Sequence, residues 1–312
     1  VLTPSRAEVQ LPPPPELDQE LVVVELADLL QFFGNPARGL LKRRAQIYVG
    51  DQDEDVLDEI PIALDGLQQW AIGERMLQAH LAGADLADIR IAEFCRGEVP
   101  PRRRGVDVLN RVEHEVRQIS HTAAPWLNEP ATSSWVSLDL GRFRITGMIS
   151  GLRDRTLVRV GYGRVRGKQR LQAWIELLAL KAAHPSTPWR AVILGKGARG
   201  SILGPVAEVD ARARLSELLQ LWVRGVSELL PLPPNTAAAH FAARRHGGNQ
   251  YAAADAWKLE CDQSWRQFGL NDRLASLQRR PAQPQDGPGH GSAFDVLTDR
   301  VWAPLVAEEG AL

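Results

Sequence analysis

Cysteine is nearly absent from this chain: 312 residues hold two, Cys95 and Cys261. They show no metal-ligand spacing and are too few for a disulfide framework, which fits a reducing, cytoplasmic setting. No run of 18 apolar residues occurs, so no membrane-spanning helix is expected. A charged-then-apolar leader is missing too, and the first residue is Val1 rather than Met; the chain reads as a piece of a longer polypeptide. Lysine is scarce: Lys42, Lys168, Lys181, Lys196 and Lys258 are five of the 37 basic residues, leaving 32 arginines. A GC-rich coding bias accounts for this at least as well as phosphate recognition does. With a formal net charge of −1, the molecule lacks the basic excess that drives autonomous DNA binding, so any DNA contact must come from local patches.

What is present is ordinary for a globular protein: 44% hydrophobic and 24% charged residues, enough chain for one large α/β unit with additions. Residues 1–20, with Pro12 to Pro15, read as an extended linker from a preceding domain. Residues 21–280 are expected to form the main domain, 281–291 a flexible Pro/Gly-rich loop, and 292–312 a C-terminal helix. From Glu25 a broken helical pair carries Leu26, Leu29, Leu30 and Phe33, then Leu40 and Leu41 after Asn35-Pro36. Gln46 to Val49 suggests a short strand. Helices are expected over 65–83, 86–96 and 105–120. Residues 135–140, 142–149 and 156–160 alternate apolar and polar side chains around turns, the pattern of an antiparallel meander. A helix over 167–183, a strand over 189–194 and a helix over 207–230 follow, then helical chain over 236–260 and a final amphipathic helix from Phe294 to about Ala307. No internal repeat appears.

Several motifs almost form. Asp51, Asp53 and Asp55 have EF-hand spacing, but Val56 stands where glycine is needed and Ile62 where glutamate is. His114-Glu115 opens a zinc-protease pattern that Gln118 fails to complete. Gly163 to Lys168 is one residue short of a phosphate loop, and Ser150-Gly151 lacks the leading glycine of a nucleophile elbow, having Met148 instead. No metal and no cofactor is expected. Basic clusters stand at Arg102, Arg103 and Arg104, at Arg153, Arg155 and Arg159, and at Arg164, Arg166 and Lys168. Each is a solvated face or a phosphate contact. Trp126, Trp135 and Trp189 are expected to serve the core rather than stack on bases.

The spacing Leu26-x-x-Leu29-x-x-Phe32-x-x-x-Pro36-x-Arg38 with Arg43-Arg44 resembles the opening helix of RecB/AddB-type nuclease domains. With Pro61 to Leu67, then Ile145-Thr146-Gly147 and Gln172-x-Trp174, the branch it resembles is the RecC C-terminal domain of exodeoxyribonuclease V. The resemblance implies a PD-(D/E)xK nuclease-like core: a central mixed sheet flanked by helices. In such nucleases two carboxylates hold Mg²⁺ and a lysine steadies the attacked phosphate. Here the first acid position is Ser150, and the Asp-x-Lys triplet falls at Gly161-Tyr162-Gly163, so the catalytic set is degenerate. The resemblance further implies RecB-like and RecD-like partner subunits, double-stranded DNA ends and single-stranded DNA as ligands, and a role in double-strand break repair. It also implies a strand-parting pin, for which Ala45 to Ile62 is a candidate despite its acidic tip. Two alternatives remain: an active nuclease with displaced acids, drawn from Asp139, Asp154 and Glu176, and a pure protein-interaction scaffold.

Overall fold

The computed structural model describes residues 21–45, 64–247, 249 and 251–312. The expected strand at 46–49, the near EF-hand and the candidate pin therefore lie outside the described residues.

In chain order the elements are β1 (Val22–Glu25), α1 (Leu26–Gly34), α2 (Pro36–Ala45), α3 (Gly66–Leu81), α4 (Leu86–Cys95) and α5 (Arg103–Ala123). The meander β2 (Thr132–Leu140), β3 (Phe143–Arg153) and β4 (Thr156–Val160) follows, then α6 (Gly167–Ala183), β5 (Arg190–Gly195), β6 (Arg199–Leu203) and α7 (Glu208–Gly225). The chain closes with α8 (Pro234–His246), α9 (Ala252–Glu260), α10 (Gln263–Arg266), α11 (Ala293–Ala307) and β7 (Glu309–Ala311). The α/β class and the mixed sheet are as expected. Helix α7 stops at Gly225, short of the prolines from 231 on, and the stretch read as helical over 236–260 is broken between α8 and α9.

The sheet has seven strands. Strand β2 pairs antiparallel with the whole of β3, and β1 runs parallel to the first part of β3, Val22 opposite Phe143. Strand β4 pairs with β3 only at Leu152–Leu157 and Arg153–Thr156. Strand β5 is parallel to β4, and β6 and β7 extend the sheet antiparallel. Thus β1 and β4 share one side of β3 and leave its middle, 147–151, unpaired on that side.

Alternation explains which face each strand buries. Val136 and Leu138 of β2 and Ile145, Ile149 and Leu152 of β3 enter the main core, where the nearly all-round apolar α6 (Leu171, Trp174, Ile175, Leu178) lies with α1, α7 and α11. On β5 the residues are buried on both sides: Ala191 and Ile193 join that core while Leu194 joins a second one. The second core is built by α3, α4 and α5. Its α5 stripe is Val108, Leu109, Val112, Val116 and Ile119, at helical spacing. Helix α11 buries Phe294, Leu297, Trp302 and Leu305 against the main core, so it caps the domain.

The stretch 281–291 is tied at its base by a bridge from Pro281 to Ser292. Within it Asp286 is buried and accepts from Arg224 at 2.8 Å, from Arg280 at 2.9 Å and from the Gln283 N–H at 2.7 Å.

A candidate site in a cleft at the end of β4

Where β4 ends, a cleft of about 510 Å³ opens between α3, α6 and β5. Gly161 and Gly163 form part of its wall, and Glu74, Arg159 and Glu176 line it.

Helix α3 governs this wall. Trp70, Gly73 and Glu74 share one helical face by their spacing. A Cβ built on Gly73 would stand 2.3 Å from the Tyr162 ring. Glycine mid-helix costs about 1 kcal/mol against alanine, and here it lets the helix seat directly on that ring. Burial, with the nearby Glu115 carboxylate, pushes the Tyr162 hydroxyl up to about 12, so the phenol stays neutral. Seated this way, Glu74 Oε2 accepts the Tyr162 N–H at 2.7 Å and Oε1 accepts from Gln78 at 2.8 Å.

The consequence falls on the two degenerate positions. A Cβ on Gly163, where the resemblance implies the lysine, would lie 3.3 Å from the Trp70 indole nitrogen; one on Gly161, where it implies the second acid, would lie 3.5 Å from Glu74 Oε2. Helix α3 thus crowds position 163 and stands at ordinary contact distance from position 161.

On the opposite wall Arg159 forms a two-pronged pair with Glu176, Nη2 to Oε1 at 2.6 Å and Nε to Oε2 at 3.1 Å. Its Nη1 donates to the Ser150 carbonyl at 2.8 Å. The guanidinium therefore bridges the gap where β3 leaves β4. Gly151, at φ +73°, makes room for it: a Cβ there would be 2.7 Å from Arg159 Nη1. Ser150 contributes only this carbonyl; it is exposed and does not line the cleft.

The three acids considered for a displaced site do not converge. Asp139 is exposed and paired with Arg144 at 2.6 Å, an arrangement that holds its carboxyl below the usual range. Asp154 sits in the β3–β4 turn against Arg155 at 3.2 Å, and Glu176 is taken by Arg159. Among the described residues no group of three or more His, Cys, Asp or Glu side chains is placed to hold a metal ion.

The basic side chains are likewise dispersed. Arg153 donates to the Leu127 and Glu129 carbonyls, and Arg159 is committed to Glu176, so both serve the fold. Arg155 lies at the far end of β4 from Gly161, about 20 Å of extended chain away. Arg164 lines the cleft, with Arg166 and Lys168 beside it at the start of α6, all three exposed. Arg102, Arg103 and Arg104 are exposed at the N-terminal end of α5. They stand about 18 Å along that helix from Glu115, which accepts from the Gly197 N–H. Trp189 is buried as expected, whereas Trp135 is 60% exposed, facing Met148 across the open side of β2 and β3. The aromatic residue that sequence reasoning missed is Trp70, 44% exposed at the cleft. Its only signal is an offset from the buried α3 stripe of Ile72, Met76 and Leu77.

Comparison with known proteins gives the family. The chain matches the family model of the RecC C-terminal domain over residues 22–245. It is 32% identical to the RecBCD enzyme subunit RecC of Mycobacterium tuberculosis H37Rv over 317 residues, covering 97% of this chain and 28% of that protein. The corresponding subunit of Mycolicibacterium smegmatis is 32% identical over 318 residues, 96% of this chain and 28% of the relative. That of Escherichia coli K12 is 23% identical over 290 residues, 91% and 24% respectively. The chain thus spans about a quarter of the length of these curated relatives. The family match spanning β1 to α8 and 32% identity over 97% of the chain lead to one assignment: the chain belongs to the RecC C-terminal domain family.

Proposed function

We propose that this chain is a non-catalytic, nuclease-like domain of a RecBCD-type helicase–nuclease subunit. It acts in the cytoplasm with RecB-like and RecD-like partners during double-strand break repair, guiding single strands from DNA ends and scaffolding the complex. The observation that carries the reading is the lining at the expected positions: Gly163 and Gly161 bring no acid or lysine to the cleft, and Trp70 and Glu74 of α3 stand beside them. Glu74 and Glu176, which line the cleft, are taken by the Tyr162 N–H and Gln78 and by Arg159 respectively, so on this reading neither is free to seat the Mg²⁺ that phosphodiester cleavage needs.

Guidance rests on the cationic side chains left over from the fold. Arg164 makes no ion pair among the described residues, and Arg166 and Lys168 extend its charge along the start of α6. Arg102, Arg103 and Arg104 crowd the end of α5 where the helix dipole disfavours cations, a placement that an anionic backbone passing nearby would relieve. The test is incubation with forked and single-stranded DNA in Mg²⁺ and then Mn²⁺. Binding that weakens steeply with salt, and no cleavage, is expected. Metal-dependent cleavage abolished by Asp139→Ala or Asp154→Ala would overturn the reading.

The scaffold reading draws on a separate observation: Val23, Trp135 and Met148 are each more than half exposed on β1, β2 and β3. Absence of any DNA binding by the chain, with stable association to its partner subunits, would favour that role alone.

A further inference from the structure

We infer that the cleft at the end of β4 is a nucleobase pocket, taking one base at a time from a passing single strand without regard to its identity. This rests on the strand-guiding reading and adds to it a specific contact.

The chemistry of the walls carries the inference. Trp70 presents an indole edge beside Gly163 and is 44% exposed to the cleft, and a base offers a π-face of matching size. Leu30 and Val165 supply apolar surface. Beside Glu74 and the Arg159–Glu176 pair, the polar lining includes two primary amides one turn apart on α6, and their orientation follows from their partners. Gln169 Oε1 accepts the Arg166 N–H at 3.1 Å, which turns its NH₂ outward; Gln172 donates to the Leu30 carbonyl at 3.5 Å, which leaves its own carbonyl free. The cleft therefore offers one spare donor and one spare acceptor side by side. Every nucleobase carries a donor and an acceptor next to each other on its Watson–Crick edge, so the pair suits any of them. Arg164 stands at the rim with no ionic partner among the described residues, placed for the phosphate of the same nucleotide. Arg159 and Glu176 neutralise each other; the remaining carboxylate, Glu74, accepts from the Tyr162 N–H and the Gln78 amide, and a neutral base is not repelled by it. The volume of about 510 Å³ falls within the range of small-molecule sites.

The experiment compares an ordinary single-stranded oligonucleotide with one of the same length and charge made entirely of abasic sites, binding each to the 312-residue chain by fluorescence anisotropy at low and moderate salt. The wild-type chain is expected to bind the ordinary strand about tenfold more tightly, the scale of one base stacked on one aromatic ring. Trp70→Ala should remove that preference while leaving affinity for the abasic strand unchanged, and Trp70→Phe should restore most of it. Arg164→Ala should weaken both strands alike and reduce the salt dependence. Because Trp70 is partly exposed, an unchanged melting temperature for its variants is the folding control. Equal, salt-sensitive binding of both strands by the wild type would overturn the pocket and leave strand guidance intact, as would a loss in Trp70→Ala shared equally by both strands. No binding of either strand would remove both readings.

Discussion

Trp70 and Glu74 decide what position 163 and position 161 can hold. On the proposed non-catalytic reading, if absent acids and lysine were the whole cause, placing them with Ser150→Asp, Gly161→Asp and Gly163→Lys together would give metal-dependent cleavage. The geometry predicts otherwise. The lysine would meet the Trp70 indole, 3.3 Å from its first carbon, and the new aspartate would face Glu74. We expect no cleavage of end-labelled single-stranded DNA in Mg²⁺ or Mn²⁺, together with a stability loss of about 2 kcal/mol from overpacking. Recovery of cleavage in the triple variant would show that α3 does not obstruct the site. Arg159 poses a second question at this scale, since its partner Glu176 is only 8% exposed. Arg159→Met alone leaves that carboxylate buried without its partner and is expected to cost about 3 kcal/mol. Arg159→Met with Glu176→Leu should recover most of the loss, as apolar replacements of a buried pair often do. Urea denaturation of the three proteins checks it; equal losses in the single and double variants would mean that the pair is not what closes the gap between β3 and β4.

Among the elements, those legible in the sequence are the ones whose residues carry their own period. Trp135 to Val160 alternates, and α5 and α6 repeat apolar residues at helical spacing, so the meander and the crossing helix could be read directly. The strands that were missed have no such period. Val22, Val23 and Val24 show no alternation and run straight into α1; Gly200 interrupts β6, and Glu309-Gly310-Ala311 has no strand preference at all. Each is a strand because a neighbouring edge supplies its hydrogen bonds. The cleft was illegible for a related reason: Trp70 lies more than 90 residues before Gly163, and only the seating of α3 on Tyr162 joins them. The 281–291 segment adds an element-level prediction through Asp286. Burial raises its carboxyl, but the Gln283 N–H and the guanidinia of Arg224 and Arg280 outweigh that and hold it below the usual range. The folded chain thus binds this proton less tightly than the unfolded chain does. The stabilisation is complete above the unfolded value of about 3.9 and is lost as pH falls through the lower folded value. Asp286→Asn should cost about 3 kcal/mol near neutrality, and its deficit relative to wild type should shrink below about pH 4. Thermal melts across that range check it, and a deficit independent of pH would contradict the assignment.

At the scale of the whole molecule, two cores meet along one sheet. The main core fixes the nuclease-like frame, and the second, built by α3 to α5 on the other side of β4 and β5, closes over the positions where chemistry would occur. The helical layer of α3 to α5 packs beside the end of β4, and the edge there is a lined cleft. The sheet itself is finished late in the chain. Strand β7 pairs with β6, Ser201 opposite Ala311, and Glu309 in it ends an ion pair with Arg170 on α6. A version shortened by the last four residues would bare the backbone donors and acceptors of β6 and free the Arg170 guanidinium. Two such molecules could then join edge to edge through the exposed strand, so that trimming a few apparently dispensable residues would alter self-association before it altered anything at the cleft.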